Sequence, residues 1–196
     1  MNENKGIWLG GLALVIVAVL GLWWFSASKS AGIVGVDSTA TSTSGSKTPI
    51  SKVDRSSSDV VSIAQSISGA STFGGWLSSS GVSAQITGKG PYTIFVPTDA
   101  AVAKLKAGTF TNLSAAGKKR FVQYHIVKGR AIDVDAQISG TILALSGDDL
   151  NFDNTNNIAL VNSGIVTAQY KGSNGMVYVI NTVLVPPEKD PAFEIQ

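Results

Sequence analysis

Hydrophobic positions change their rhythm three times along the chain. From Gly6 to Ser28 there are 23 residues without a charge, with an apolar centre of 19 residues from Ile7 to Phe25. As a helix, the uncharged run would span about 34 Å, against a hydrocarbon core of about 30 Å. Trp8 stands near one end and Trp23 and Trp24 near the other, where indole rings meet headgroups in membrane-spanning helices. Residues 1–28 therefore predict an N-terminal transmembrane helix. The alternative is a cleaved signal peptide, for which Ser26-Ala27-Ser28 supplies small residues, although the apolar run exceeds the roughly 7–15 residues of a signal core. Lys5 before the segment and Lys29 after it leave the positive-inside count nearly balanced.

The rhythm then disappears. Residues 38–48 read STATSTSGSKT, eight of eleven being Ser or Thr. Such a stretch cannot bury enough surface to offset its ordering entropy. Residues 29–57 are expected to form a disordered stem, with an r.m.s. reach of about 30 Å if it behaves as a Gly/Ser coil.

From Ser58 onward helical and strand periods alternate. Val60, Ile63, Ala64 and Ile67 fall on one helical face, with Ser57 or Ser58 as the expected cap and Gly69 as the stop. Thr72 precedes a second short helix carrying Phe73, Trp76 and Leu77 and ending near Gly81. Tyr92 to Val96 reads as a strand that Pro97 closes, after which Thr98 or Asp99 caps a helix through Leu105. Ser114 caps another, with Phe121 and Tyr124 on its inner face, and Ile126-Val127 begins a strand. The rest is short strands at Ile142–Leu145, Leu150–Phe152, Ile158–Val161, Ile165–Tyr170 and Met176–Val185. Asn174-Gly175 is the strongest hairpin signal, because both residues tolerate positive φ. Helices first and antiparallel strands later give an α+β class, and residues 58–187 are enough for one core.

Composition narrows the chemistry. The 196 residues hold no Cys and one His, with 15 Lys and Arg against 13 Asp and Glu, so thiol catalysis, Cys-based zinc and multi-His metal sites are excluded. A net charge of +2 argues against nucleic acid as a partner. A mean hydropathy of +0.22 is explained by the apolar N-terminal segment. His125 could act as a base only beside a nucleophile and an orienting group, and no Ser lies in a G-x-S-x-G elbow. The expected role is structural, at a buried junction between helix and strand. Asp149-x-Asn151-x-Asp153 mimics the start of a calcium loop, but Asn154 and Leu160 stand where that loop needs Gly and a bidentate acid, so the acids are expected on a solvated strand face. Asp133 and Asp135 form a similar exposed pair. Lys118, Lys119, Arg120, Lys128 and Arg130 form the one basic cluster. It reads either as a solvated helix face or as a patch for anionic polysaccharide or lipid headgroups. Asn112-Leu113-Ser114 is a glycosylation sequon. No cofactor, metal site or catalytic residue is expected.

Three segments, taken in order, resemble a fasciclin (FAS1) domain. Gly90-Pro91-Tyr92-Thr93-Ile94-Phe95-Val96-Pro97-Thr98-Asp99-Ala100-Ala101 is similar to the family's first signature, Tyr124-His125 to its Tyr-His pair, and Asn174-Gly175 through Pro186-Pro187 to its closing signature. Their order and spacing match over 58–187. This chain departs from the pattern in having Tyr178 and Asn181 where His and Asp are usual, and Gln169-Tyr170 where an Asp-Ile pair is frequent. The Asp-Ile pairs and the Tyr-His region are implicated in integrin recognition in animal members, and the missing Asp argues against that role here. The resemblance implies a wedge-shaped β-sandwich flanked by helices, and a non-catalytic adhesion or matrix role. Thr98, Asp99, Tyr124, His125, Asn174 and Gly175 are its signature residues, and each is expected to be structural.

Together these readings describe four parts: anchor 1–28, stem 29–57, fasciclin-like domain 58–187 and tail 188–196. The expected protein is tethered to the cell membrane by a single pass and presents its C-terminal domain outside, or is secreted if the first segment is cleaved. Its partners would be a surface or matrix protein or a polysaccharide. The alternative is an envelope module binding a small apolar or carbohydrate ligand in a cleft between helices and sandwich.

Overall fold

The computed structural model describes residues 50–155 and 158–187. The anticipated anchor, the stem up to residue 49 and the tail 188–196 lie outside the described residues. Among the described residues no helix is long and apolar enough to cross a membrane.

The elements are β1 (Ser51–Asp54), α1 (Val60–Ser66), α2 (Ser71–Ser79), β2 (Tyr92–Pro97), α3 (Asp99–Val102), α4 (Ala115–Gln123), β3 (Ile126–Lys128), β4 (Ser139–Leu143), β5 (Asp149–Asp153), β6 (Leu160–Val161), β7 (Gly164–Gly172) and β8 (Gly175–Ile180). Helices and strands thus appear near where the periods place them, with shifted boundaries: α3 stops at Val102 rather than Leu105, and β4 runs from Ser139 to Leu143 rather than from Ile142 to Leu145. The cap of α1 is Asp59 rather than Ser57 or Ser58: its carboxylate accepts from Ser62 N at 2.8 Å. The final strand ends at Ile180, five residues before Val185. Beyond it the side chain of Asn181 replaces a ladder partner and accepts from Ile165 N at 2.9 Å.

β1 lies inside the segment expected to be stem. It pairs in parallel with β7, Ser51 opposite Ala168 through Asp54 opposite Lys171, so the disordered reading fails for residues 51–54. Composition could not show this, because the strand is held by backbone pairing. Its side chains are largely exposed, and Lys52 makes a surface ion pair with Asp135 at 2.5 Å.

The strands run in the order β3-β2-β8-β7-β6-β5-β4, with β1 joined to β7. β2 and β8 are parallel, and the strands from β4 to β8 pair antiparallel in chain order. The sheet is therefore mixed. Both central strands are covered on each face, which is why all six residues of β2 are buried. Alternation sorts them. Tyr92, Ile94 and Val96 join Val177 and Val179 against the helices, in the core of Ile63, Phe73, Leu77 and Phe121. Phe95 joins Tyr178 and Ile180 on the other face, in the core of Tyr124, Leu150, Phe152 and Val161. A bulge in β7 between Val166 and Ala168 lets one strand serve both cores, because the extra residue reverses the parity. Val166 faces the second core, while Ala168 and Tyr170 pack on the first.

The closing hairpin departs from the Asn-Gly turn read from the sequence. Gly172 pairs with Gly175, so the loop is Ser173-Asn174 and Gly175 is the first residue of β8. Asn162, at φ 49°, is the one described non-glycine residue with positive φ, so Asn174 is not in the left-handed region. Gly175 is needed for a different reason. A Cβ there would stand 1.9 Å from the carbonyl oxygen of Tyr92, and a Cβ on Gly90 would stand 2.1 Å from that of Asn174. The start of the β2–β8 pair closes only between two glycines. Gly175→Ala is expected to cost roughly 3 kcal/mol or more, since the obstacle is backbone and cannot rotate away. Gly129→Ala, at φ +81° with open space around it, should cost only about 1 kcal/mol. Urea unfolding of the two variants checks this, and equal costs would refute the steric account.

Candidate functional site

Tyr124 and His125 sit at the turn from α4 into β3, and the two cores divide them. Tyr124 enters the second core, where its hydroxyl donates to Asp149 O at 3.0 Å and accepts from Asn162 Nδ2 at 3.1 Å. His125 turns toward the helices, fully buried between Phe73 and Phe121, with ring centroids 4.9 and 5.5 Å away. Its Nδ1 lies 2.9 Å from Phe121 O and its Nε2 lies 3.1 Å from Leu184 N. A carbonyl can only accept and an amide can only donate. The ring is therefore the neutral tautomer with the proton on Nδ1. Burial pulls its pKa down to about 4, against a smaller upward pull from Phe121 O. Both nitrogens are committed to backbone, so neither is available to a substrate.

Thr98 and Asp99 cap different helices. Thr98 Oγ1 accepts from Ala101 N at 3.1 Å and starts α3. Asp99 reaches across to α2, whose own preceding residue, Ala70, makes no side-chain cap. Its carboxylate accepts from Thr72 N at 2.8 Å and from Ser71 N and Oγ at 3.1 and 3.0 Å. The bonds from Thr72, then those from Ser71, hold its pKa below the usual carboxylate value. In the sequence Thr72 stands ahead of this helix and nothing ties Asp99 to it; the helix begins at Ser71.

Asn174 is a bridge. Its Oδ1 accepts from Val60 N at 2.9 Å at the start of α1, its Nδ2 donates to Gly88 O at 3.0 Å, and its carbonyl accepts from Tyr92 N at 3.0 Å. Tyr178, where the family usually has His, donates its hydroxyl to Ile132 O, and desolvation raises its pKa. Thr93, buried in β2, donates to Arg130 O at 2.8 Å and accepts from Ile132 N at 3.0 Å. These two residues pin the segment after β3, a role no motif announced.

The basic cluster separates. Arg120 makes a two-bond ion pair with Asp148, at 2.9 and 3.2 Å, with both side chains largely buried. It is part of the scaffold rather than of an open patch. Lys118 and Lys119 lie on α4, while Lys128 and Arg130 are exposed at the end of β3 away from α4. Asp149 and Asn151 lie on the outer face of β5, while Asp153 takes Thr155 N and Oγ1 into a turn. Asp133 accepts from Asp135 N at 2.9 Å. Among the described residues no group of three or more His, Cys, Asp or Glu is placed to hold a metal. Asn112 is exposed, and the Ser114 of its sequon accepts from Gly117 N as the cap of α4.

The helical side carries an opening among the described residues. Trp76 of α2 stacks on Phe110 at 4.2 Å with planes 17° apart, and Phe121 meets both rings edge-on. Beside the stack, Val102, Leu105 and the 106–111 loop bound an open groove of about 220 Å³. The sequence placed Trp76 on an inner helix face but had no way to bring Phe110 to it.

The family model for the fasciclin domain matches residues 68–186. Similar proteins include sll1483 of Synechocystis sp., 34% identical over 107 residues, which covers 52% of this chain and 59% of that protein. The cell surface glycolipoprotein MPB83 of Mycobacterium bovis is 38% identical over 101 residues, 50% of this chain and 45% of its own. The transforming growth factor-beta-induced protein ig-h3 of Sus scrofa is 32% identical over 120 residues, 59% of this chain and 17% of its own. The chain spans about half the length of the first of the curated relatives it matches. Among solved structures, a FAS1 domain pair from the insect cell adhesion molecule Fasciclin I superposes with a TM-score of 0.55 at 15% identity, over 66% of this chain and 51% of that one. At that identity the likeness is one of fold.

Two outcomes follow from the site. The folded His125 has its pKa below the ordinary 6.5, so the unfolded chain takes up the proton first as pH falls. The contribution is full above pH 6.5 and shrinks toward pH 4. At about 1.4 kcal/mol per unit it amounts to about 3 kcal/mol. Asp54, Asp99 and Asp153, all lowered from 3.8, lose theirs at still lower pH. Urea unfolding should show falling stability from pH 6.5 to 4 in the parent and a flatter profile in His125→Gln. A flat parent would refute a buried neutral ring. Asp99→Ala should cost about 1–2 kcal/mol through the loss of the α2 cap. Hydrogen exchange at Ser71 and Thr72 should rise in that variant, and unchanged protection there would reject the assignment.

Proposed function

The chain belongs to the fasciclin domain family, and from that premise we propose that it is a membrane-tethered surface protein presenting one such domain for adhesion or matrix contact. One observation carries the reading. The polar atoms of Thr98, Asp99, Tyr124, His125 and Asn174 are spent on groups inside the domain. The signature builds a rigid scaffold, and contact falls to the surface. One relative's own name points the same way, that of a cell surface glycolipoprotein.

The apolar run Ile7–Phe25 supports the tether, and the Ser/Thr-rich stretch 38–48 supports a spacer. With β1 included, the domain runs from about residue 51 to 187. A single-pass protein with this domain outside the cell would meet a surface or matrix protein or a polysaccharide. Lys118, Lys119, Lys128 and Arg130 are the charges it offers to an anionic partner. Cleavage after residue 28 would instead release it.

Protease treatment of intact cells producing the full chain tests this. The expected result is loss of the domain from the cells, with the apolar segment left in the membrane fraction. A domain that resists digestion until the cells are lysed would overturn the topology. Beads carrying the protein should adhere to cells, and reversing Lys118, Lys119, Lys128 and Arg130 to Glu should weaken adhesion to anionic surfaces by severalfold. Unchanged adhesion would remove these charges from the account.

A further inference from the structure

The groove beside Trp76 has no part in the scaffold just described. Trp76, Val102 and Leu105 are only partly covered there, and Ala107 is exposed. The floor is rigid, because the Trp76–Phe110 stack is braced edge-on by fully buried Phe121. Its volume of about 220 Å³ exceeds the roughly 150 Å³ of a cavity that holds benzene. Partly exposed apolar walls around a preformed concavity are the usual form of a small-ligand site.

Charge decides which ligand fits. The residues that line the groove include no Asp or Glu, and Lys106 is the charged residue among them. A sugar would need several converging donors and acceptors. The hydroxyl of Thr109 is already given to Lys106 O at 2.7 Å, and the walls are chiefly apolar. A neutral apolar molecule would leave Lys106 unused.

We propose that this groove binds an anionic amphiphile of the long-chain carboxylate class. Its apolar body lies against Trp76 and Phe110, and its carboxylate lies at Lys106. This binding does not depend on where the domain is displayed, so it stands or falls apart from the adhesion reading.

The test uses the full chain in phosphatidylcholine nanodiscs and a diazirine-bearing dodecanoate, with cross-links mapped by mass spectrometry. Labelling is expected at Trp76 and within 102–111, and excess dodecanoate should suppress it. Lys106→Glu should weaken it roughly tenfold, and Ala107→Trp, an exposed substitution that fills the groove, should abolish it. Thermal melts confirm that each variant is folded. Labels mapping elsewhere, or labelling that folded groove variants leave unchanged, would overturn the site. Equal suppression by dodecanol would overturn the anionic head, and equal suppression by inorganic phosphate would overturn the apolar body.

Discussion

The parallel pairing of β2 with β8 is the constraint on which the rest of the domain depends. Both strands are buried on both faces, so each carries one row of side chains to the helices and one row to the second core. They lie far apart in sequence, Tyr92 pairing with Gly175, and their start is closed by backbone approaching backbone at Gly90 and Gly175. The residues around that closure tie in the remaining parts. Asn174 holds the first turn of α1, and Ser173 N donates to Ser58 O at 2.8 Å. At the far end of the pair, Thr98 N donates to Ile180 O at 3.0 Å as β2 gives way to α3. A disturbance at this pair would reach both cores at once.

Around that axis the polar side chains do joining work. Asp99 caps a helix it does not belong to, His125 links α4 to Leu184, and Arg120 with Asp148 fastens α4 to the β4–β5 turn. Where the contact is buried, as at His125 and at Arg120 with Asp148, removing one partner leaves a desolvated group behind, which costs more than the contact contributes. That asymmetry is a physical reason for the identities of the signature residues, and it requires no ligand. His125 shows it most plainly. A ring held neutral by burial, with each nitrogen facing a backbone partner of the right polarity, is a junction rather than a base.

The surface divides differently. Lys118, Lys119, Lys128 and Arg130 stay exposed or partly so, while the helical side also carries the Trp76 groove in a stretch without acidic residues. A rigid interior and a chemically biased exterior are the arrangement by which one fold serves different contacts. Here the bias is positive and partly apolar.

Local physics is written in the sequence and was legible there. Periodic runs located α1, α2, α4 and β5, β-branched and aromatic content located β2, and short-range hydrogen bonding located the cap Ser114 and narrowed the cap of α3 to Thr98 or Asp99. The family signature, read in order, implied the fold that superposition shows. Properties that depend on distant residues were not legible. β1 has no hydrophobic pattern, because its order comes from the edge of β7, and composition alone assigned it to a stem. Asp99 as the cap of α2, Asn174 as a bridge to α1, the withdrawal of Arg120 into a pair with Asp148, and the meeting of Trp76 with Phe110 each join positions at least 27 residues apart. A sequence records which groups need a partner, and only the tertiary structure decides which partner is brought within reach, because hydrogen bonds and ring contacts act over a few ångströms while the chain between them carries no sign of the closure.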